Sequence, residues 1–183
     1  GDGVETVSTT GNQTITVNGA INNSGAFDGV HAASTSGTIS VNINGANVTA
    51  GDDGVDVSSG GAKAVTVAAG RTLSGGDLGI ASTGTGATTI NNSGTITGTG
   101  VAIRSQTSST TVNNLAGGTI NGAVTLSELN DSVDNDGTIT GTLNLGAGAD
   151  LYDGRNGSIS GTINGDAGND TMQGGARAQT MGG

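Results

Sequence analysis

A short phrase recurs along this chain at a nearly constant interval: a glycine, then Thr, Ser or Ala, then one large apolar residue. The interval averages a little over twenty residues, with Val48 filling one gap in the pattern. Repeats of this length are typical of solenoid proteins, in which each repeat forms one coil. We define the first column as the apolar members of the phrase, which are Phe27, Val48, Leu73, Ile96, Ile120, Ile139 and Ile159.

Two further columns of apolar residues keep pace with the first. The second column consists of Ile21, Ile43, Val67, Ile90, Val112, Val133 and Tyr152. The third column consists of the pairs Gly3-Val4, Gly29-Val30, Gly54-Val55, Gly79-Ile80 and Gly100-Val101. Three synchronised columns predict three strands in each coil, because the repeats are too short and too poor in helix formers to be helix pairs.

The composition narrows the choice of fold further. The chain has 183 residues, with 37 Gly, one Phe, one Tyr, and no Pro, Cys or Trp. A core built on aromatic anchors is therefore excluded, whereas a parallel β-helix needs only a few aliphatic residues on each side of a coil. The low aliphatic content approaches that of disordered chains, but a disordered tract has no reason to space these residues at three synchronised intervals.

We therefore predict an all-β protein that folds as a parallel β-helix (β-solenoid), with about seven to eight coils of 19–26 residues. Neighbouring coils would lie about 4.8 Å apart and satisfy each other's backbone groups. One continuous solenoid is predicted at residues 1–175, with longer coils over 1–100 and shorter coils over 101–175, followed by a flexible tail at 176–183. The drift in spacing should appear at the corners, because loops absorb insertions more easily than paired strands.

Asparagines recur at similar places in successive repeats. Stacked amides can donate and accept hydrogen bonds from coil to coil, as they do in cross-β stacks. We interpret these asparagines as structural rather than ligand-binding: Asn22, Asn23, Asn91, Asn92, Asn113, Asn114, Asn135 and Asn156.

The charge balance limits the partners and the location of the chain. Five basic and 15 acidic residues give a net charge of −10. Binding of nucleic acid needs clustered cations, so we expect no nucleic-acid partner. No apolar stretch is long enough to cross a bilayer, so we expect no membrane insertion by this segment. The acidic balance and the absence of cysteine fit an extracellular or periplasmic location, although absence of cysteine is equally common in small cytosolic proteins.

Two phrases, Asn91-Asn-Ser-Gly-Thr-Ile-Thr-Gly-Thr-Gly-Val-Ala-Ile and Leu145-Gly-Ala-Gly-Ala-Asp-Leu-Tyr-Asp-Gly, resemble the passenger repeats of large bacterial autotransporters. The resemblance covers nearly the whole chain. It implies a right-handed parallel β-helix at the bacterial cell surface, with a non-enzymatic role as stalk, adhesin or biofilm scaffold. The partners that it implies are the rest of a longer chain and host or matrix glycans and proteins.

Near the end of the chain, Gly165-Asp-Ala-Gly-Asn-Asp-Thr-Met-Gln fits the calcium-binding nonapeptide of RTX proteins, and Gly146-Ala-Gly-Ala-Asp-Leu-Tyr fits its later half. That motif presents carbonyl and carboxylate oxygens to Ca²⁺. The family repeats its loop in tandem, with two turns in each coil, whereas here the two loops lie a whole coil apart, so a plain Gly/Asp turn without an ion stays open. The resemblance implies Ca²⁺ as the cofactor, with Asp150, Asp153, Asp166, Asn169 and Asp170 as candidate ligands.

Other polar residues suggest weaker alternatives. Asp2, Asp28 and Asp53 precede Gly-Val pairs and Asp77 lies near the equivalent place, which predicts an acidic edge that is either solvated or relieved by a cation. The single histidine, His31, is expected to be a surface or corner residue. Paired carboxylates on a β-helix also occur in enzymes that cleave polysaccharides, but clefts for sugars usually stack aromatic rings or use arginines, whereas this chain has only Phe27, Tyr152 and five scattered cations. We therefore expect no enzyme activity.

Two further functions are alternatives to a surface stalk or adhesin. Copies of the chain could stack head to tail through open coil ends and form a filament. A doubled column of hydroxyl-bearing residues could bind ice, although its earlier coils, with Ala26/Asp28, Asn47/Thr49 and Thr72/Ser74, depart from the pattern. The column consists of Thr95 and Thr97, Thr119 and Asn121, Thr138 and Thr140, and Ser158 and Ser160.

Overall fold

Alternating side chains on short strands build the core. The computed structural model describes residues 1–175 and 180–182. In the strand Ile39–Ile43, Ile39, Val41 and Ile43 are buried, while Ser40 and Asn42 are partly exposed on the outer side. Since successive side chains of a strand point to opposite sides, five residues give three inward positions. The described residues form 22 strands and no helix, which confirms the all-β prediction.

The strands lie on three faces, numbered here in the order in which the chain meets them within a coil. Face 1 contains β1 (Val4–Ser8), β4 (Val30–Ser34), β7 (Val55–Ser59), β10 (Leu78–Thr83), β17 (Leu143–Asn144), β20 (Thr162–Asn164) and β22 (Thr180–Gly182). Face 2 contains β2 (Gln13–Val17), β5 (Ile39–Ile43), β8 (Lys63–Val67), β11 (Thr88–Asn92), β13 (Thr110–Asn114), β15 (Ser132–Asn135), β18 (Leu151–Gly154) and β21 (Thr171–Gly174). Face 3 contains β3 (Ile21–Asn22), β6 (Val48–Thr49), β9 (Thr72–Ser74), β16 (Thr138–Ile139) and β19 (Ser158–Ile159). Two longer strands, β12 (Thr95–Ser105) and β14 (Thr119–Thr125), begin on face 3 and end on face 1 of the next coil.

Each strand pairs in parallel with the strand at the same place in the next coil. Faces 1 and 3 together form one sheet of 14 strands, because β12 and β14 run through both, and face 2 forms a sheet of eight strands. Seven coils have all three faces, and β20, β21 and β22 continue the stack. The prediction of a parallel β-helix with three strands per coil is confirmed.

The first column lies on face 3, with one error at its start. Phe27 was expected to stack on Val48, but Ile21 holds that place and Phe27 is 45 % exposed. The backbone N–H of Phe27 donates to the carbonyl of Gly25, so this phrase forms a turn at a corner rather than a strand. The other members are confirmed as a continuous ladder of Val48, Leu73, Ile96, Ile120, Ile139 and Ile159.

The second column is confirmed only in its later half. Ile43 and Val67 are aligned with Asn92, two residues beyond Ile90, and the residue that pairs with Ile90 is Val65. Both positions point inward, because inward positions recur every two residues on a face, so counting intervals permits a shift by two. Ile21 belongs to face 3, as described above. The confirmed part of the column is Ile90, Val112, Val133 and Tyr152 on face 2.

The third column is wrong at its last member. Val101 pairs with Leu78, and Ile103 takes the expected place beside Ile80. Because β12 carries the chain from face 3 to face 1 without a break, a Gly-Val pair no longer marks the start of face 1, and Ala102 precedes the column member instead. The confirmed members on face 1 are Val4, Val30, Val55 and Ile80.

Coils contain fewer residues later in the chain, because both the corners and the strands become shorter. On face 1, Val4 pairs with Val30 in the first coils and Val124 pairs with Leu143 in the later ones, so partners lie closer along the chain in the later coils. Residues 23–29 separate β3 from β4, whereas β12 and β14 pass the same corner as unbroken strands. The face-1 strands also contract, from five residues in β4 to two in β17. No face is lost in the seven coils.

Most of the predicted tail at 176–183 falls on residues outside those described, which are 176–179 and 183. Within that segment, Thr180–Gly182 form β22, which pairs in parallel with Thr162–Asn164. The stack therefore extends by one strand beyond β21.

Buried asparagines extend an aliphatic column as a polar ladder. The side-chain N–H₂ of Asn92 donates to the side-chain oxygen of Asn114 at 2.9 Å, and Asn114 donates in the same way to Asn135 at 2.7 Å. All three amides are fully buried. On the outer side, Asn113 donates to Asn91 at 2.9 Å. Hydrogen bonds between amides of successive coils are therefore confirmed at these positions. The other predicted members differ: the side chain of Asn23 donates to the carbonyl of Gly1, and that of Asn156 donates to Asp136. Asn22 is aligned with Thr49 rather than with another asparagine.

The inward register on face 3 is tested by two adjacent substitutions. Ile96→Asp places a charge between Leu73 and Ile120 with no partner, so we expect a loss of more than about 4 kcal/mol in the free energy of unfolding. Thr97→Asp changes an outward position and should cost less than about 1 kcal/mol. Urea denaturation followed by circular dichroism measures both. Equal losses would contradict the assigned register.

The amide ladder predicts a similar contrast on face 2. Asn114→Ala removes both an acceptor for Asn92 and a donor to Asn135 inside the core, so we expect a loss of about 1–3 kcal/mol for each buried group left unpaired. Asn113→Ala is the matched control on the outer side and should cost less than about 1 kcal/mol. Thermal and urea unfolding of the two variants measure the difference, and a more harmful Asn113→Ala would contradict the ladder.

Candidate functional site

The predicted calcium ligands lie on a stack of three loops, at the corner between faces 1 and 2. The loops are residues 126–131, 145–150 and 165–170, and we call them the loop stack. The backbone N–H of Leu126 donates to Asn144, and that of Leu145 donates to Asn164, so the loops begin in register. Gly148 and Gly168 form a parallel bridge at the middle of the stack.

Aspartates close each loop by accepting a backbone hydrogen bond from the coil before. The N–H of Thr110 donates to Asp131 Oδ1 at 2.5 Å, and the N–H of Asp131 donates to Asp150 Oδ1 at 2.7 Å. The N–H of Asp150 donates to Asp170 Oδ1 at 3.1 Å. A carboxylate at this corner therefore satisfies a backbone donor that has no strand partner. This role needs no ion.

Glycine is required where two loops touch. Gly148 and Gly168 have φ of 145° and 147°, in the region that side chains rarely adopt. A Cβ on Gly168 would also clash with the carbonyl oxygen of Gly148. The glycines that suggested the calcium motif are thus explained by close stacking of backbone.

The first loop of the stack was not recognised in the sequence. Residues 126–131 lack the glycines of the later loops, and only the position of Asp131, one coil before Asp150, marks the repeat. Ser127 stands where Gly146 stands in the next loop, and its N–H and hydroxyl both donate to Asp131 Oδ2 at 3.0 Å. The regular spacing of Asp131, Asp150 and Asp170 is the signal that would have found it.

The structure separates the five predicted ligands. Asp150 is 2 % exposed and lies inside the corner, whereas Asp153 points outward from β18. Asp166, at φ of 60°, and Asn169 are exposed, and Asp170 is half-buried. Only Asp150 and Asp170 are joined, through the backbone hydrogen bond described above.

Asp153 has a partner of its own. Arg155 donates to both of its carboxylate oxygens, with Arg155 Nη2 at 2.6 Å from Oδ2 and Nε at 2.9 Å from Oδ1. These hydrogen bonds hold the pKa of Asp153 below its usual range. The carboxylate of Asp153 thus points outward, away from the buried Asp150, and is paired with the guanidinium of Arg155.

Asp150 has one oxygen to spare. Its Oδ2 is buried and accepts no hydrogen bond. In the preceding loop the hydroxyl of Ser127 donates to the equivalent oxygen of Asp131, but Gly146, which occupies the place of Ser127 here, has no hydroxyl. Burial raises the pKa of Asp150, and the neighbouring charge of Asp170 raises it further. A carboxylate in this state is stabilised by a proton or by a cation.

A second aspartate ladder runs along the corner between face 3 and face 1 in the earlier coils. Asp2 Oδ1 accepts the N–H of Asp28, Asp28 Oδ1 accepts that of Asp53, and Asp53 Oδ1 accepts that of Leu78, at 3.0–3.1 Å. The predicted acidic edge is present, but Leu78 rather than Asp77 holds its fourth place. Burial is the largest cause that raises the pKa of Asp53, to about 6, with nearby carboxylates adding to it.

Two groups of three metal-ligating side chains are close enough to share an ion, within the part of the chain that the structure describes. One is Asp2, Asp28 and His31, and the other is Asp52, Asp53 and Asp77. None of the five candidate calcium ligands belongs to either group.

A buried lysine was missed by the sequence reasoning. Lys63 is 1 % exposed at the start of β8, and its ammonium donates to the carbonyls of Ser59, Gly84 and Gly86. Burial lowers the pKa of Lys63 to about 8. No sequence motif predicts its burial, because a single lysine at the start of a strand is normally expected to be exposed.

The doubled hydroxyl column is real on face 3. Thr95, Thr119, Thr138 and Ser158 align in successive coils, and Thr97 pairs with Asn121. Several of the hydroxyls are engaged within the protein, since Ser160 donates to the carbonyl of Thr140 at 2.6 Å. In the first coil the equivalent of this column flanks Ile21 rather than Phe27, so Ala20 and Asn22 replace the expected Ala26 and Asp28.

Matched substitutions distinguish the two buried aspartates. Asp131→Asn replaces one of two accepting oxygens by a donor that faces Thr110 or Ser127, so we expect a loss of about 1–3 kcal/mol in the free energy of unfolding. Asp150→Asn keeps the acceptor for Asp131 and puts the new donor where Oδ2 has no partner, so its cost should be smaller. Urea denaturation at neutral pH measures both, and the reverse order would contradict the ladder.

Raised carboxyl pKa values also predict a pH dependence. Burial raises the pKa of both Asp53 and Asp131 to about 6, whereas an unfolded chain titrates near about 3.9. The folded state therefore binds protons more tightly, and the stability present below about pH 4 is lost as pH rises through about 6. We expect a greater free energy of unfolding at about pH 4 than at pH 7, with a smaller difference in Asp53→Asn. A wild-type stability that rises over this range would contradict the assignment.

Comparison with known proteins adds no relative. No protein-family model, no curated protein and no solved structure matches the chain. The described residues include no helix long and apolar enough to span a membrane. The three-faced parallel β-solenoid is thus the established description of this protein, and the resemblances to autotransporter passengers and to RTX loops stay predictions.

Proposed function

We propose that the chain is a non-enzymatic stalk or scaffold segment of a bacterial surface protein, located outside the cell. The observation that carries the proposal is the unbroken pairing of successive coils on three faces. Pairing of every coil with its neighbours on three faces is the arrangement that a stiff rod requires. Seven coils at about 4.8 Å each give a rod of roughly 35 Å.

The surface composition supports a spacer. Outward positions of face 2 carry short polar side chains, among them Ser40, Asn42, Thr66, Thr89 and Thr111, which are only partly exposed. A net charge of −10 opposes association of parallel rods. Face 2 therefore exposes little apolar area. A face of this kind favours a role as a spacer between whatever lies at the two ends of the rod over tight binding of a partner along its length.

A display experiment tests the stalk. The chain is placed between an unrelated outer-membrane anchor and a fluorescent domain, and the height of that domain above the membrane is measured by interferometry or energy transfer. We expect a height gain of roughly 35 Å over a direct fusion. Thr97→Asp should keep the gain and Ile96→Asp should lose it, because only the second variant disrupts the core. No gain with the wild-type chain would contradict the stalk.

The same displayed cells separate an adhesive role from a purely structural one. Cells are applied to arrays of glycans and matrix proteins, and the purified chain is imaged by electron microscopy. Binding above that of the direct fusion would favour an adhesin, and filaments of purified protein would favour head-to-tail stacking of copies. A stalk predicts neither result.

Calcium binding by the loop stack is a second proposal, which rests on the buried free oxygen of Asp150. Ca²⁺ requires six or more oxygens, so carbonyl oxygens of loops 145–150 and 165–170 would have to supply other ligands at this corner. Asp153 takes no part, because it points outward and is paired with Arg155. An ion here would tie two loops together without a catalytic step.

Thermal unfolding tests this proposal. Millimolar CaCl₂ should raise the melting temperature of the wild-type protein, since a ligand of the folded state stabilises it. Asp150→Asn should abolish the rise, and Asp153→Asn is the control that should keep it. An equal effect of CaCl₂ on wild type and Asp150→Asn would contradict binding at this oxygen.

A further inference from the structure

The single histidine of the chain lies among carboxylates on the outer side of face 1. His31 Nδ1 is 3.0 Å from Asp56 Oδ2 and 3.5 Å from Asp28 Oδ2. Ligand atoms of Asp2, Asp28 and His31 all lie within 4.8 Å of one another. Two carboxylates and one imidazole are therefore close enough to share an ion, and a third carboxylate, that of Asp56, lies beside the imidazole, far along the chain from the loop stack.

Strand register produces this meeting. His31 is the second residue of β4 and pairs with Glu5 in the coil before and with Asp56 in the coil after. Asp28 lies three residues before His31, at the corner, with Asp2 stacked on it from the preceding coil. The acidic side chains thus approach the imidazole from both neighbouring coils and from the corner.

The backbone orients two of the carboxylates. Asp2 Oδ1 accepts the N–H of Asp28, and Asp28 Oδ1 accepts the N–H of Asp53, both at 3.1 Å. These bonds fix one oxygen of each group and leave the second, Oδ2, available to a ligand. Such anchoring of ligating carboxylates by hydrogen bonds is a feature of built metal sites. The side chains of His31, Asp28 and Asp56 are 29 %, 15 % and 25 % exposed, so an ion has access from solvent.

The donor set selects a class of metal. A neutral imidazole with carboxylate oxygens suits Zn²⁺ and related transition metals, whereas Ca²⁺ and Mg²⁺ prefer oxygen alone. The other acidic group, Asp52, Asp53 and Asp77, offers oxygen only. The carboxylates of Asp28 and Asp56 lie within 3.5 Å and 3.0 Å of the same imidazole nitrogen, so negative charge is crowded there. A divalent cation would relieve the crowding.

We propose that Asp2, Asp28 and His31 bind a divalent transition-metal ion of the Zn²⁺ class, with Asp56 in contact with the imidazole as an outer member of the site. The site joins three successive coils, since Asp2 belongs to the first, Asp28 and His31 to the turn into and the start of the second, and Asp56 to the third. Binding would therefore fasten the first three coils to one another. This role is independent of the stalk and of the calcium proposal.

A titration with ZnCl₂ on the full chain, without a histidine tag, tests the site. Because the chain has one histidine, the ¹⁵N resonances of its imidazole report on this residue alone. We expect Zn²⁺ to shift the Nδ1 resonance and to bind with one-to-one stoichiometry in calorimetry. His31→Gln should weaken binding by about tenfold or more, since loss of even an outer partner costs that much in metal sites. Asp56→Asn should weaken it as well.

Controls make the result decisive. Asp77→Asn alters the oxygen-only group and should leave Zn²⁺ affinity unchanged, and an excess of Mg²⁺ should not displace Zn²⁺. His31 and Asp56 are outward residues, so circular dichroism of both variants should match the wild type. An imidazole resonance that Zn²⁺ does not move, or equal affinity of wild type and His31→Gln, would overturn the proposal.

Discussion

In-register pairing between successive coils is the constraint on which the whole structure depends. Each backbone donor and acceptor on a face is satisfied by the coil above or below. Because of this pairing, every inward side chain stacks on the side chain at the same position of the neighbouring coil. Aliphatic residues meet this demand by forming ladders such as Leu73, Ile96 and Ile120. Buried polar groups meet it where they are hydrogen-bonded, as Asn92, Asn114 and Asn135 are to one another. The chain can therefore fold without an aromatic core.

Corners solve a different problem with carboxylates. Where the chain leaves a face, a backbone N–H loses its strand partner, and an aspartate from the adjacent coil accepts it. The ladder of Asp2, Asp28 and Asp53 accepts from the coil that follows, whereas Asp131 and Asp150 accept from the coil that precedes. In both ladders one oxygen of each aspartate accepts a backbone N–H from a neighbouring coil. Asp131 satisfies its second oxygen with Ser127, whereas Asp150 Oδ2 accepts no hydrogen bond and can take a proton or a cation, so the candidate calcium site lies at this corner.

Much of the fold could be predicted from the spacing of apolar residues, because a column of buried aliphatic side chains repeats in the sequence as it does in space. The errors arose where spacing is ambiguous. Ile43 and Val67 are two residues from the expected place on the same inward side, and Phe27 imitates a column member within a corner. The loop at 126–131 and the buried Lys63 carry no motif. The His31 cluster depends on register across three coils, which no local pattern specifies.

The measurement that tests the central claim most directly is oxidative cross-linking of paired cysteines, since the chain has none of its own. Thr66 and Asn91 are direct partners on the outer side of face 2, whereas Thr66 and Thr89 would be partners only if the register were shifted by two. Direct partners fit the Cα separation of a disulfide, and diagonal ones at about 7–8 Å do not. We predict that Thr66→Cys with Asn91→Cys forms an intramolecular disulfide on oxidation and that Thr66→Cys with Thr89→Cys does not. The opposite result would contradict the register.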